Sequence, residues 1–307
     1  MAALPPVGFV GLGHMGWPMA RHLSRGGVNL SLYDALPGRA QAFAGEFGGR
    51  AATNLATLAG ASVIVITMLP NGAVVRDVAL GTAGRAGLVD GLLPDAILVD
   101  MGSSDPEVYA EIAPVLARRG GHLIDAPVSG AVSGAEAATL TIMAGGDPTA
   151  IDRALPMFAL MGERLFRTGP LGSGQAMKAL NNLASAGAFL LTLEVLLIGQ
   201  RYGLDPKLMT EILNVSTGRN NATDKKIIPH VLSRRFDSGF ALRLMTKDLT
   251  TALALAERTG TPTILGAPIL DAARQALAAL DPETDHTALA RWLEDRIGEQ
   301  LRGSDGD

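Results

Sequence analysis

The sequence predicts an α/β domain with a doubly wound, mostly parallel sheet at residues 1–167, an all-helical domain at 168–307, and a long linking helix at about 173–202. Three observations predict it. The 307 residues are about two domains' worth of chain, each long enough for its own core. Through the first half, short β-branched runs alternate with helical stretches, the pattern of a parallel sheet covered by helices on both faces. After about Arg167 the β-rich runs stop and helix formers dominate.

In chain order, strands are expected at residues 7–10, 30–33, 63–68, 97–100, 123–125 and 140–144. Amphipathic helices are expected around 15–25, 39–46, 73–80, 107–119 and 149–161, each bounded by glycine, proline or polar residues. In the second half, helix formers run from Ser173 to Leu301, broken at Gly203, Gly218, Gly260 and Gly266. The first of these helices is apolar on most faces, which suits a position between domains or against another subunit, and a homodimer or homotetramer is the expectation. Its uncharged stretch from Ala179 to Leu193 contains Asn181 and Asn182 and falls short of the roughly 18 to 20 apolar residues of a spanning helix. A buried helix of a soluble protein is expected instead. No repeat of roughly 20 to 50 residues is present, and the Gly303–Asp307 tail is expected to fray.

Composition narrows the partners. Apolar residues make up 48% of the chain and charged ones 18%, which excludes global disorder. With 26 Lys and Arg against 30 Asp and Glu, the net charge of −4 offers no footprint for nucleic acid or for a basic membrane contact, and a small molecule is the expected partner. The absence of cysteine removes disulfides, thiolate metal sites and a cysteine nucleophile together, and fits a reducing, cytoplasmic interior. Met1–Pro6 carries no basic stretch ahead of an apolar run, so no export signal is expected. His14, His22, His122, His230 and His286 are scattered without ligand spacing, so no metal site is expected. There is no Gly-x-Ser-x-Gly elbow and no phosphate-binding loop of the Gly-Lys-Ser/Thr type.

Directly after the first strand comes Gly11-Leu12-Gly13-His14-Met15-Gly16, then a helix, and the second strand ends on Asp34, 21 residues beyond Gly13. That context turns a glycine pattern into a dinucleotide (Rossmann) fingerprint. Gly11 makes the tight turn, Gly13 lets the backbone approach a pyrophosphate, and Gly16 permits close packing of helix on strand. A carboxylate at Asp34 accepts hydrogen bonds from the adenosine ribose hydroxyls and repels the 2′-phosphate of NADP, so NAD is the expected cofactor and NADP the lesser one. Arg39, five residues on, could pair with that phosphate; it is expected in a helix and solvated. Met68-Leu69-Pro70-Asn71 and Asp100-Met101-Gly102-Ser103-Ser104 also leave carboxyl ends of strands, where open α/β sheets bind ligands.

Four separated motifs, in order, resemble the β-hydroxyacid dehydrogenase family over nearly the whole chain. Gly8-Phe9-Val10-Gly11-Leu12-Gly13-His14-Met15-Gly16-Trp17-Pro18-Met19-Ala20 is similar to its cofactor signature, and Asp125-Ala126-Pro127-Val128-Ser129-Gly130 to its substrate loop. Gly172-Ser173-Gly174-Gln175-Ala176-Met177-Lys178-Ala179-Leu180-Asn181-Asn182 resembles its catalytic helix, and Lys247-Asp248-Leu249 its second cofactor contact. The resemblance implies reversible hydride transfer between a nicotinamide and a short 3-hydroxy acid, nearest to the members that oxidise 3-hydroxyisobutyrate, with Lys178 catalytic. It implies substrate contacts at Ser129, Gly130, Ala131, Asn182 and Asp248, and cofactor contacts at Met68, Leu69, Pro70, Ser103 and Lys247 besides the glycine turn. The chain departs from the pattern at Ala131 and Ala138, where the family has glycine, and the methyl of Ala131 is expected to narrow or reshape the pocket.

The residues alone are compatible with that chemistry. Lys178 and Asn182, four apart on a helix, share a face. An ammonium can stabilise a developing alkoxide and protonate it, and the free amine can take the proton back in oxidation. The base role requires a pKa below the ordinary value of about 10.4. On residue type alone a solvated lysine is the commoner outcome, and the motif reverses that weighting. Two rival functions stand beside this one: an NAD(P)H-dependent reductase of tartronate semialdehyde, glyoxylate or another short semialdehyde, and a non-catalytic nucleotide sensor.

Overall fold

β1 (Val7–Val10), β2 (Leu30–Tyr33), β3 (Arg50–Ala51), β4 (Ile64–Thr67), β5 (Ile97–Asp100) and β6 (His122–Asp125) are parallel neighbours in the order β3-β2-β1-β4-β5-β6. β8 (Leu140–Gly146) runs antiparallel to β6 and to β7 (Val128–Ser129), and β9 (Gly162–Gly169) pairs parallel with β8. The coordinates are a computed structural model that describes residues 4–303. Met1–Ala3 of the segment read for an export signal, and Ser304–Asp307 of the tail expected to fray, lie outside the described residues.

The central strands are buried on both faces because side chains alternate across the pleat. Val7, Phe9, Ile64, Ile66, Ile97, Val99 and Ile124 meet the helices α1 (Gly16–Arg25), α2 (Arg39–Phe47) and α7 (Pro148–Met161) through Met19, Leu23, Phe43, Ile151, Met157 and Phe158. Val10, Val65, Leu98 and Leu123 face the other way. They meet α3 (Leu55–Ala59), α4 (Gly72–Leu80) and α5 (Val108–Arg118) through Leu58, Val75, Tyr109, Ile112 and Leu116. Between β7 and β8 lies α6 (Ala131–Ala137).

The six expected strands and five first-half helices are all present, with ends within a residue or two. The elements β3, α3, β7, α6 and β9 were not expected from sequence. The largest of these, β9, carries the chain in strand form past Arg167 to Gly169, beyond the point where β-rich runs were expected to stop. Its residues are mostly exposed, and it owes its form to pairing with β8 rather than to an apolar run.

The chain divides into two compact units, Met1–Lys178 and Ala179–Asp307, so the division falls inside α8 (Ser173–Tyr202). The second unit is helical: α9 (Pro206–Asn214), α10 (Asn221–Lys225), a wide i to i+5 turn at Ile227–Leu232, α11 (Leu242–Arg258), α12 (Gly266–Ala279) and α13 (Leu289–Ile297). Gly266 begins α12 rather than breaking a helix. Ala186, Phe189, Leu193 and Leu197 of α8, three or four residues apart, fill the core together with Leu196 and with Leu242, Met245, Leu249, Leu270, Ala273 and Leu289. By length and composition alone α8 could cross a membrane; these core positions account for its apolar character on one side. On the other, Leu191, Val195, Ile198 and Tyr202 recur at helical spacing and are exposed, as are Leu208, Ile212 and Val215 of α9 and the loop beyond it.

A polar cluster around Lys226 is buried in this unit. Lys226 sits 5.6 Å over the Phe189 ring and donates to Ser185 Oγ at 3.3 Å. Burial pushes its ammonium down to about 8, and burial likewise holds the His286 imidazole neutral, down to about 4.

Candidate active site

The glycine turn is built as its spacing requires. Gly11 has φ +96°, and a Cβ there would lie 2.4 Å from the Met68 carbonyl oxygen. At Gly16 a Cβ would lie 1.9 Å from the Gly11 carbonyl oxygen, so α1 can start this close to β1 only with glycine. Around Gly13 nothing lies within 4 Å of a would-be Cβ. That open backbone, and the start of α1 with no side chain capping it, fit a pyrophosphate taking hydrogen bonds from main-chain N–H groups. His14 is exposed and Met15 half-buried beside it.

Asp34 is fixed at the end of β2 by two main-chain donors, Leu12 N at 2.7 Å and Leu36 N at 2.8 Å. Arg39 corrects the sequence expectation. It is the first residue of α2 and half-buried; its Nε donates to the Leu12 carbonyl, and its guanidinium lies 5.6 Å from the Trp17 ring centre. It is therefore tied to the turn rather than solvated. An open cleft of about 790 Å³ runs along this side, lined in part by Gly13, His14, Leu36, Pro37 and Arg39.

The loops after β4 and β5 close on their neighbours in the same way. A Cβ on Gly102 would meet the Leu69 carbonyl oxygen at 2.5 Å, so the segment of Met68, Leu69 and Pro70 packs directly on the loop that carries Ser103. Asn71 then caps α4, accepting from Val74 N at 3.0 Å.

Three residues that lie within the motifs but were given no role of their own from sequence hold this end of the sheet together: Asp100, Asp125 and Gln175. Asp100 is fully buried at the end of β5 and accepts from Thr67 Oγ1 (3.0 Å), Gly102 N (3.1 Å), Ser104 Oγ (2.7 Å) and Tyr109 Oη (2.8 Å). Burial pushes its carboxyl above the usual carboxylate range against the pull of these donors, and pushes the Tyr109 phenol well above its ordinary value. Asp125, buried at the end of β6, accepts from Gly172 N at 2.7 Å and Gln175 N at 2.8 Å. It therefore caps the start of α8 from a distant strand, and burial raises its carboxyl as well. An available signal was the recurrence of aspartate at the ends of three expected strands, Asp34, Asp100 and Asp125.

From Asp125 the chain runs into the proposed substrate loop. Ser129 pairs with Thr141 across β7 and β8, and Gly130 follows with φ +137°. Ala131 and Ala138 both hold left-handed backbone, φ +56° and +57°, a conformation that costs alanine about 1 kcal/mol more than glycine. Strain is thus stored at both ends of α6, directly after this loop. Lys178, half-buried, is the last residue of the first unit, on the helix that Asp125 caps. In the second unit the structure brings together Asn182, Asp248 and Lys247. Asn182 Nδ2 donates to Asp248 Oδ2 at 2.6 Å, and Lys247 Nζ lies 3.3 Å from Asp248 Oδ1, on the second turn of α11.

Comparison with known proteins places the chain's sequence and fold among characterised dehydrogenases. Residues 6–169 match the NAD-binding domain of 6-phosphogluconate dehydrogenase, and residues 172–293 match the domain described as the NAD-binding part of NADP-dependent 3-hydroxyisobutyrate dehydrogenase. The mitochondrial 3-hydroxyisobutyrate dehydrogenase of Rattus norvegicus is 38% identical over 87% of this chain and 80% of its own. The 2-(hydroxymethyl)glutarate dehydrogenase of Eubacterium barkeri is 36% identical over 83% of this chain and 84% of its own. Among solved structures, the Mycobacterium tuberculosis 3-hydroxyisobutyrate dehydrogenase with L-serine superposes with a TM-score of 0.85 at 28% identity, covering 94% of this chain and 99% of that one.

Proposed function

This chain belongs to the β-hydroxyacid dehydrogenase family, and on that premise we propose that it oxidises a short 3-hydroxy acid reversibly with NAD, Lys178 serving as the acid–base group. As a member it is an NAD(P)-dependent oxidoreductase acting on the CH–OH group of a hydroxy acid. The observation that carries the finer reading is the Asp125 carboxylate, which binds the start of α8 through Gly172 N and Gln175 N. Through it, the loop that leads to Ser129 and the helix that presents Lys178 share one anchor.

3-Hydroxyisobutyrate, 2-(hydroxymethyl)glutarate and L-serine, named with the relatives above, share the unit HOCH2–CH(R)–COO⁻. That unit is the proposed substrate. Main-chain N–H groups around Ser129 and Gly130 hold its carboxylate as a small anion-binding concavity. When bound, the nicotinamide accepts hydride from the hydroxyl-bearing carbon in oxidation and returns it in reduction. The Lys178 amine takes the hydroxyl proton in the first direction, and its ammonium returns it in the second. The exposed apolar stripe of Leu191, Val195, Ile198 and Tyr202 supports a homo-oligomer in which a second copy of the chain covers it.

The carboxylate assignment is tested by steady-state rates on a 3-hydroxy acid and on the matching alcohol without the carboxyl group. The acid is expected to have the higher kcat/KM by about a hundredfold, the order of the roughly 3 kcal/mol lost when main-chain donors are left unpaired. Equal efficiency on the two would remove the anion subsite.

A further inference from the structure

Gln175 has no role in the chemistry described above, yet it is 1% exposed and uses every polar atom of its side chain. Its Nε2 donates to the Gly102 carbonyl oxygen at 2.8 Å and to Tyr109 Oη at 3.0 Å, and its Oε1 accepts from Ser104 N at 3.0 Å. It therefore grips the main chain immediately before and immediately after Ser103. Its own N–H is taken by Asp125 at 2.8 Å, and it precedes Lys178 by three residues on α8, so the two lie on adjacent turns with Cβ atoms about 5 to 6 Å apart.

We propose that Gln175 is a positioning residue that locks the cofactor loop around Ser103 to the helix turn bearing Lys178, so that nicotinamide and acid–base group are held in one register. The proposal rests on the dehydrogenase reading and deepens it. Sheet order says which half of the cofactor it serves. Asp34 at the end of β2 takes the adenosine ribose, and the pyrophosphate crosses at the end of β1. β4 and β5 continue on the far side of β1 from β2, so the Ser103 loop meets the nicotinamide half.

The chemistry requires an amide at this position. Tyr109 donates its hydroxyl proton to Asp100 Oδ2 at 2.8 Å, so Tyr109 Oη faces Gln175 as an acceptor, as does the Gly102 carbonyl oxygen. Only a group with two N–H donors at one end and an acceptor at the other satisfies all three partners. A carboxylate would set its negative charge against two acceptors, with Asp100 and Asp125 close by. Asp100 and Tyr109 thus fix which end of the Gln175 amide points where, one step further from the cofactor.

The test compares NADH with ADP-ribose, which keeps the adenosine and pyrophosphate half but lacks the nicotinamide, by calorimetry on wild type, Gln175→Met and Tyr109→Phe. Gln175→Met is expected to weaken NADH about tenfold and leave ADP-ribose within about twofold. Tyr109→Phe, which keeps the ring and removes one partner of the amide, is expected to shift NADH in the same direction by a smaller factor and stands as the measurement should the methionine variant fail to fold. Loss of NADH and ADP-ribose affinity in equal measure, or no change in either, overturns the proposal, whatever happens to Tm. Because neither probe requires a hydroxy acid, the result is independent of the substrate reading, whose own failure would show as a wild type that binds NADH and turns nothing over.

Discussion

Lys178→Ala is expected to lower kcat by about a thousandfold, the scale of a lost general acid–base group, while NADH binds nearly as before. The separation follows from where the parts lie. The turn at Gly11, Gly13 and Gly16, proposed to take the cofactor's phosphates, packs on Met68 and on the start of α1, whereas Lys178 stands on α8, whose start is anchored by Asp125. Removing the side chain beyond Cβ leaves every hydrogen bond of Gln175 and Asp125 in place. Rapid-mixing turnover and an NADH titration on the same variant check both halves. Retention of more than about a tenth of kcat, under about 1.4 kcal/mol of transition-state stabilisation, would remove Lys178 from the chemistry.

The second large effect concerns cofactor choice. Wild type is expected to favour NAD over NADP in kcat/KM by about tenfold or more, because the Asp34 carboxylate stands where the 2′-phosphate would arrive. The structure strengthens this. Arg39, a nearby cation that could invert the preference, directs its Nε to the Leu12 carbonyl and its guanidinium toward Trp17. A phosphate that draws the whole guanidinium away from the turn must offset the loss of these contacts. Asp34→Asn is expected to narrow the gap from both sides, weakening NAD by loss of a charged acceptor and admitting NADP by loss of the repulsion. Rates with both cofactors on wild type and variant decide it. A wild type that prefers NADP would mean that Arg39 leaves the turn and governs the site.

How much of this was legible in the sequence depends on whether the determining contacts are local. β1, β2 and β5 are found at their expected bounds because each is a short, almost wholly buried segment in which apolar residues predominate. β3 and β7, two residues each, are too short to have a period, and β9 alternates nothing, since its form comes from register with β8. α6 was hidden by Gly130 and Gly134, which read as a turn, and by two alanines in glycine's conformation. α3 did announce itself, through Asn54 accepting from Thr57 N at 2.8 Å, an N-cap pattern open to reading.

The site divides along the same line. The glycine turn is a property of six consecutive residues and their backbone, and sequence spacing predicted the tight turn at Gly11 and the close helix packing at Gly16. Asp125, Asp100 and Gln175 act on partners up to 73 residues away, and no local pattern marks a glutamine as the clamp on a loop from another strand. Arg39 was misjudged for a related reason: it begins α2 rather than standing one turn into it, and the carbonyl that holds it belongs to β1's loop, 27 residues earlier.

The central claim is hydroxy-acid oxidation with NAD, and its most direct measurement is NADH formation by the purified wild-type chain with 3-hydroxyisobutyrate, L-serine and 2-(hydroxymethyl)glutarate as substrates. At least one of them is expected to be oxidised with stoichiometric NADH and a semialdehyde product, and the same semialdehyde reduced when NADH is supplied. A chain that binds NADH at the glycine turn and turns over none of the three in either direction would contradict the account and leave a nucleotide-binding sensor in its place.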